Sequence, residues 1–327
     1  MSDSRTVSPS ASGAAAPRLR LATRLAGLVV LLFAIEAVSG VLLLVYYRPA
    51  ADAAYLSIAA INDEVRIGWV VRSVHWWAAD LLIALAIAHL VVSYFSRAYT
   101  RPRRSAWLSG ILLFTLVLGF GFTGTLLPWD QYAYWSIEST RQTIAGIPGV
   151  GSFLIYLFWG GWELGGEVLA RFYAFHVGIL PWMAAALLAT HLVIAWRTGL
   201  QERLSAAPGA ESILAVDFWI ATLLCIGVLL SAALSAPPPL LGPADPLTPL
   251  PHVLPRWYFL PARMLLRHLP GAVAGLTVLV LFALVSAVPL IDGRERASAF
   301  ATGARWAIGL AAIGVILWMA AQQYVSA

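Results

Sequence analysis

The sequence predicts an all-α membrane protein of seven transmembrane helices, an N-terminal four-helix bundle followed by a three-helix C-terminal unit. Three observations carry that expectation. The 327 residues are 60% hydrophobic and 11% charged, with a mean hydropathy of +0.80, which is more apolar surface than a soluble fold of this size buries. Seven runs are each long and apolar enough to cross a bilayer. Four of the six histidines fall inside those runs as two pairs, His75 with His89 and His176 with His191.

Taken in order, residues 1–20 are rich in Ser, Ala and Pro and carry Arg5, Arg18 and Arg20; they read as a disordered cytoplasmic tail. Spans are expected near 24–46, 71–96, 106–127, 172–196, 214–235, 272–291 and 303–323. The first is too long for the core of a signal peptide and reads as a retained helix. A polar stretch, 201–212, is the expected linker between a unit at 21–200 and a second at 213–327. The loops 128–171 and 236–271 hold Trp, Pro and Gly, and short surface helices are expected in them. Loops of this length are more often functional than spacer.

All 21 basic residues are arginine, and the net charge of +5 lies in loops. That distribution argues for topology and against nucleic-acid binding. Arg18, Arg20 and Arg24, then Arg97, Arg101, Arg103 and Arg104, then Arg197 and Arg203, then Arg294 and Arg296 share one side if the spans alternate. The expectation is an integral protein of the bacterial cytoplasmic membrane, N-terminus inside and C-terminus outside. Cys225 is the only cysteine, which excludes intrachain disulfides and a cysteine-ligated iron–sulfur cluster within this chain.

An intramembrane histidine is costly and marks a functional site by default. Fourteen residues separate the first pair and fifteen the second. Each pair therefore lies near one helix face, about 21–23 Å apart along the axis. Two such helices side by side present two pairs of imidazoles at two depths. Four histidines that merely satisfy local hydrogen bonds would not need matched depths. Bis-histidine ligation of two haem irons fits the arrangement, whereas zinc wants further ligands close by. Small residues fall in phase: Gly110 and Gly124 in the third span, Gly40 and Gly27 beside Ala26 in the first. They would let a flat macrocycle approach the helix backbone, although glycine also serves ordinary helix packing in membranes.

These residues resemble the cytochrome b subunit of bc-type complexes. The resemblance rests on Arg72-Ser-Val-His75, the histidine fourteen later, Arg171-Phe-Tyr-Ala-Phe-His176 and His191. The fifteen-residue second spacing, Tyr46-Tyr47-Arg48-Pro49 and Leu127-Pro128-Trp129-Asp130-Gln131 resemble the cytochrome b6 branch. Residues 242–261, opening Gly242-Pro243-Ala244-Asp245-Pro246, and Leu266-Arg267 ahead of Pro270 resemble subunit IV of b6f complexes. The likeness covers about 20–292, and the chain looks like a fusion of those two parts. It implies that His75 and His176 ligate an outer haem and His89 and His191 an inner one, both b-type and non-covalent. Arg72 and Arg171 match arginines near the outer propionates, and 128–171 and Pro255 to Tyr258 match the roof and wall of an outer quinol pocket. It further implies quinone or quinol as substrate, an iron–sulfur protein of Rieske type or a c-type cytochrome as partner, and a homodimer.

Several departures matter. Arg24 stands where b6-type chains carry the cysteine of an extra covalent haem, so none is expected here, and Cys225, in a later span, is expected away from the bundle. Trp76 replaces an arginine, and Glu36 stands where glutamine is usual. Arg256 replaces the acidic residue that accepts a proton from quinol. His252, Asp130 and Tyr258 are candidates to replace it in the pocket. The leading expectation is a subunit of a quinol:electron-acceptor oxidoreductase. The alternatives are a non-bifurcating haem conduit in a different redox complex and, from another class, a haem-free transporter or scaffold, against which the four intact histidines argue.

Overall fold

The computed structural model describes residues 15–147, 149–204, 210–251, 253–292 and 299–325. Among them it is entirely helical apart from loops and one isolated bridge, Asp130 to Pro243. Helix α1 (Ala15–Leu44) begins inside the stretch expected as a tail and runs into the first span. A short helix, α2 (Ala54–Asp63), leads to α3 (Gly68–Phe95) and α4 (Arg104–Leu126), which stops ahead of Pro128, a residue with no N–H to donate to a further turn.

The long loop after α4 is folded. Asp130 caps α5 (Gln131–Ala145), its side chain accepting from the Ala133 N–H. The short α6 (Gly151–Leu154) continues as a π turn, Ile155–Trp159. Next comes α7 (Gly166–Tyr173), a second π turn at Ala174–Ile179, and α8 (Leu180–Leu204), forming one apolar span over Gly166–Thr198. The stretch expected as a linker contains the end of α8 and the start of α9 (Ala210–Ser235). After a turn at Trp257–Phe259 come α10 (Leu260–His268), α11 (Gly271–Ile291) and α12 (Ala299–Val325).

Seven described helices are long and apolar enough to cross a membrane, at the seven expected places. They turn large apolar side chains outward, such as Trp182, Leu223, Leu279 and Trp318, as a bilayer-embedded surface requires. Within the bundle α1 packs along α3, and α4 along α8. Helix α9 lies against α3, and α11 against α4.

Three apolar clusters hold this together. One joins α1, α3, α4 and α9 through Leu32, Leu82, Ile83, Val117 and Leu229, with Cys225 and Tyr258 packed on it. Cys225 therefore packs on a cluster shared with the first three spans instead of standing apart from the bundle. A second cluster, with Trp129, Ile155, Trp159, Leu169 and Phe172, is the core of the folded loop 128–171. The third is built on Tyr99, Trp107 and Ile111.

Polar bonds also cross between the first four spans and the last three. The Arg72 guanidinium donates to the carbonyls of Pro238 (2.9 Å) and Pro239 (3.0 Å). Trp77 Nε1 donates to Ala236 O, Trp107 Nε1 to Val285 O and the Tyr132 hydroxyl to Leu254 O. Asp292 accepts from the Tyr99 hydroxyl and pairs with Arg97 and Arg305.

Candidate functional site

The four histidines form two layers. His75 and His89 lie on α3, His176 in the second π turn and His191 on α8. The rings of His75 and His176 face each other with centroids 6.4 Å apart and planes at 80°. His89 and His191 lie close enough to interact electrostatically. The π turn explains the unequal spacings. An i→i+5 turn takes up one more residue than an α turn. The fifteen-residue spacing on the second helix thus comes back into step with the fourteen on the first.

A common device orients three of the rings. Ser39 Oγ lies 3.0 Å from His75 Nδ1, Thr123 Oγ1 3.0 Å from His176 Nδ1, and Ser109 Oγ 2.8 Å from His191 Nδ1. Each hydroxyl donates its own hydrogen to a carbonyl four residues back, at Ile35, Gly119 and Ser105. Its lone pairs are therefore left to accept from Nδ1–H. For His89 the acceptor is the Ala22 carbonyl itself, at 2.9 Å. Ala26, four residues on, has no hydroxyl to stand between them. In all four rings Nδ1 is occupied as a donor, and the Nε2 lone pair is the one free to bind a metal.

Each hydroxyl residue precedes a glycine: Ser39-Gly40, Ser109-Gly110 and Thr123-Gly124. A Cβ at Gly124 would stand 2.8 Å from His176 Cε1, at Gly40 3.3 Å from His75 Cε1 and at Gly110 3.4 Å from His191 Cε1. Absence of side chains here makes room for the imidazoles. Gly27 has another neighbour, since a Cβ there would stand 2.6 Å from the Phe218 ring on α9.

The 6.4 Å between the His75 and His176 ring centres would leave room for one metal held by both imidazoles. Among the described residues no three His, Cys, Asp or Glu side chains gather as a site for a bare metal ion. A haem iron, which brings four equatorial nitrogens of its own, fits this donor set; a tetrahedral zinc does not.

The family model described as cytochrome b/b6/petB matches residues 11–199. The chain belongs to the cytochrome b family. A second model, cytochrome b (C-terminal)/b6/petD, matches residues 243–326. A cytochrome bc complex cytochrome b subunit from Chlorobaculum thiosulfatiphilum is 35% identical over 81% of this chain and 65% of its own length, so the chain spans just under two thirds of that relative. Cytochrome b6 of Heliobacterium mobile is 38% identical over 54% of this chain and 84% of its own. Cytochrome b6 of Prochlorococcus marinus (strain MIT 9303) is 33% identical over 56% and 84%. A solved chain from a hyperthermophilic respiratory Complex III shares the fold, with a TM-score of 0.75 at 22% identity over 93% of this chain and 89% of that one. Membership makes this an integral membrane protein of electron transport whose family carries b-type haem.

The other residues singled out in this cytochrome b are spread around the His75 layer. Arg72 is buried and, besides its two proline carbonyls, reaches Asn62 Oδ1 at 3.3 Å. Arg171 is exposed, and its guanidinium lies against Gly160, whose φ of +78° favours glycine. Asp130 is buried with both oxygens committed, Oδ1 to Ala133 N–H and Oδ2 to Leu241 N–H. Burial pushes its carboxyl up, opposed by those two bonds and by Arg72. The Tyr258 hydroxyl stands over Gly121, where a Cβ would be 2.5 Å away, and burial pushes the phenol up to about 12. His252 lies outside the described residues.

Arg256 forms an ion pair with Asp80 on α3, a residue that sequence reasoning missed, and lies 3.8 Å above the centre of the ring of Trp76, noted above only as a departure. The available signal was a carboxylate inside an apolar run, five residues after His75.

Proposed function

We propose that this cytochrome b is the two-haem, quinone-reactive subunit of a bc-type membrane complex, and that it carries electrons between quinol and quinone sites at its two faces. The observation that supports the reading best is the set of four rings, all with Nδ1 held and Nε2 free, in two layers. Bound haems would supply a one-electron relay across the bilayer. His75 with His176 and His89 with His191 would hold them, oriented by Ser39, Thr123, Ser109 and the Ala22 carbonyl. Gly40, Gly110 and Gly124 leave space for the rings. Arg72 and Arg171 stand near the His75 layer, where a guanidinium suits a propionate; Arg72 keeps donors beyond the three acceptors it already has.

In this reading the His75 layer faces outward, the arginine-rich loops face the cytoplasm, and the folded loop 128–171 with the Pro255–Tyr258 segment encloses the outer quinol pocket. A Rieske-type iron–sulfur protein or c-type cytochrome takes electrons at that face, and the complex is a homodimer with no covalent haem. Arg256 supports a second reading, a haem conduit with a single quinone site and no bifurcation, because the loop residue that receives a proton elsewhere in the family is a cation here.

Reduced-minus-oxidised spectra with pyridine haemochrome quantitation test the first reading. Two b haems per chain are expected in the native protein and one in His75→Ala or in His89→Ala. Unchanged haem content in either variant would sink the ligand assignment. Protein-bound haem on a denaturing gel would contradict the non-covalent assignment. Quinol-driven reduction of a Rieske partner separates bifurcation from the conduit.

A further inference from the structure

We propose that Asp80 is the proton-accepting carboxylate of the outer quinol pocket, and that Arg256 is the positioning residue that holds it there. The proposal rests on the quinol-reactive reading above. In effect the acid has moved from the loop to the helix, and a cation has taken its place on the loop.

A carboxylate in a membrane helix is costly and marks function unless it is paired. Asp80 lies five residues beyond His75, about 7.5 Å deeper along α3. Trp76, four residues back and so on the same face, supplies the ring on which the Arg256 guanidinium rests. The fork is thereby fixed from two sides, by the indole beneath and the carboxylate beside it. Arg256 belongs to the segment that opens the turn carrying Tyr258, and Tyr258 packs on the same α1, α3, α4 and α9 cluster that borders Asp80. Neither partner is sealed from outside: the side chains of Arg256 and Asp80 are 15% and 16% exposed. Asp80 Oδ1 is buried against the guanidinium, and a carboxylate has a second oxygen with which to accept.

The remaining groups around the pocket are committed elsewhere. Arg256 stays protonated and accepts nothing. Asp130 gives both oxygens to backbone N–H groups. Tyr132 donates to Leu254 O, and its phenol, like that of Tyr258, is pushed up by burial. Glu36 pairs with His75 through Oε2 while its Oε1 has no partner, and it is near enough to Asp80 for the two carboxylates to interact; it is not paired with Arg256 as Asp80 is. Of these carboxylates, Asp80 is the one that the Arg256 guanidinium holds at the pocket. In the step assigned to it, the quinol O–H bond breaks and its proton forms an O–H bond on the Asp80 carboxylate. The electron then lost from the deprotonated quinol goes to a one-electron iron–sulfur acceptor. Arg256 holds the carboxylate in place between turnovers.

The test is quinol:cytochrome c reductase activity of the intact complex with a short-chain quinol across pH 5–9, with haem spectra recorded for every variant. Asp80→Asn is expected to lower kcat at least tenfold, with KM and both haem spectra little changed, and to abolish the acid limb of the pH–rate profile. Asp80→Glu is expected to recover part of kcat. Arg256→Gln is expected to keep the limb but move it to higher pH, since losing a neighbouring cation favours the protonated acid. Undiminished turnover in Asp80→Asn overturns the proposal alone. A native complex inert toward quinol overturns it together with the reading on which it rests. An ion pair that merely docks the loop would instead show both variants failing together with haem loss. If Asp80→Asn loses haem, Arg256→Gln decides, and an unmoved acid limb there overturns the proposal.

Discussion

Glu36 and His75 meet between α1 and α3, with the carboxylate Oε2 3.0 Å from the imidazole Nδ1. The same nitrogen faces Ser39 Oγ, so this ring has a carboxylate beside its hydroxyl partner. A carboxylate pulls harder on Nδ1–H than a hydroxyl does, and the opposite nitrogen becomes a stronger donor to a metal.

Glu36→Gln is therefore expected to raise the midpoint potential of the haem at the His75 layer. A charge-assisted hydrogen bond exceeds a neutral one by roughly 1 kcal/mol. At 59 mV per tenfold for one electron, that is an upward shift of about 40 mV. Redox titration of the haem α-bands reads it, and an unmoved potential would show that the carboxylate leaves the ligand untouched.

The glycines beside the rings predict a graded response. Gly124→Ala places a methyl 2.8 Å from the His176 ring, closer than a real contact permits, whereas Gly110→Ala places one 3.4 Å from His191. The Gly124 variant is expected to lose the haem at its layer and the Gly110 variant to keep both. Equal haem contents in the two would refute the argument from space.

Ser109→Ala removes the acceptor for His191 Nδ1. Partners of this kind are worth about 10–100-fold in metal-site affinity when lost. Faster haem loss to apomyoglobin from the His89–His191 layer, with the other layer retained, is the expected result. Identical rates would make the hydroxyl incidental.

Tyr258 gives a prediction about pH. Its folded value is raised to about 12 by burial, so the neutral phenol is the folded form at every pH below that. The phenol's preference for the folded chain is fully present below the ordinary tyrosine value near 10 and fades only as pH climbs through the raised one. Tyr258→Phe is expected to leave the shape of the pH–rate profile between pH 5 and 9 unmoved, whatever it does to KM. A limb that disappears in this variant would make the phenol an acid or base.

Much of this was readable before any coordinates. The seven spans follow from hydropathy alone, because a bilayer forces every crossing segment to be apolar and helical. The four histidines were readable because an imidazole inside an apolar span is rare and costly, and these four fall in two pairs. The local devices were not. Ser39, Ser109 and Thr123 looked like ordinary small membrane-helix residues, and only their distance to an Nδ1 on another helix gives them a role. The π turn around His176 left its trace as one extra residue of spacing, which read as family variation. Asp80 was hidden because its partner lies far along the chain, and no local pattern announces an ion pair of that range. The helices in loop 128–171 were expected in kind, but their bounds depend on caps such as Asp130 and on a core that forms only in three dimensions.

The bonds from Arg72 to Pro238 and Pro239, from Trp77 to Ala236 and from Tyr132 to Leu254 have a consequence for how such a protein is made. They recognise the second part of the molecule without help from the peptide connection between α8 and α9. Two polypeptides divided there would still carry every matching surface, and would find each other by diffusion in the plane of the bilayer. The covalent connection contributes a local concentration in the millimolar range and a strict one-to-one supply. Separately made halves are therefore expected to reassemble into the same structure when expressed together.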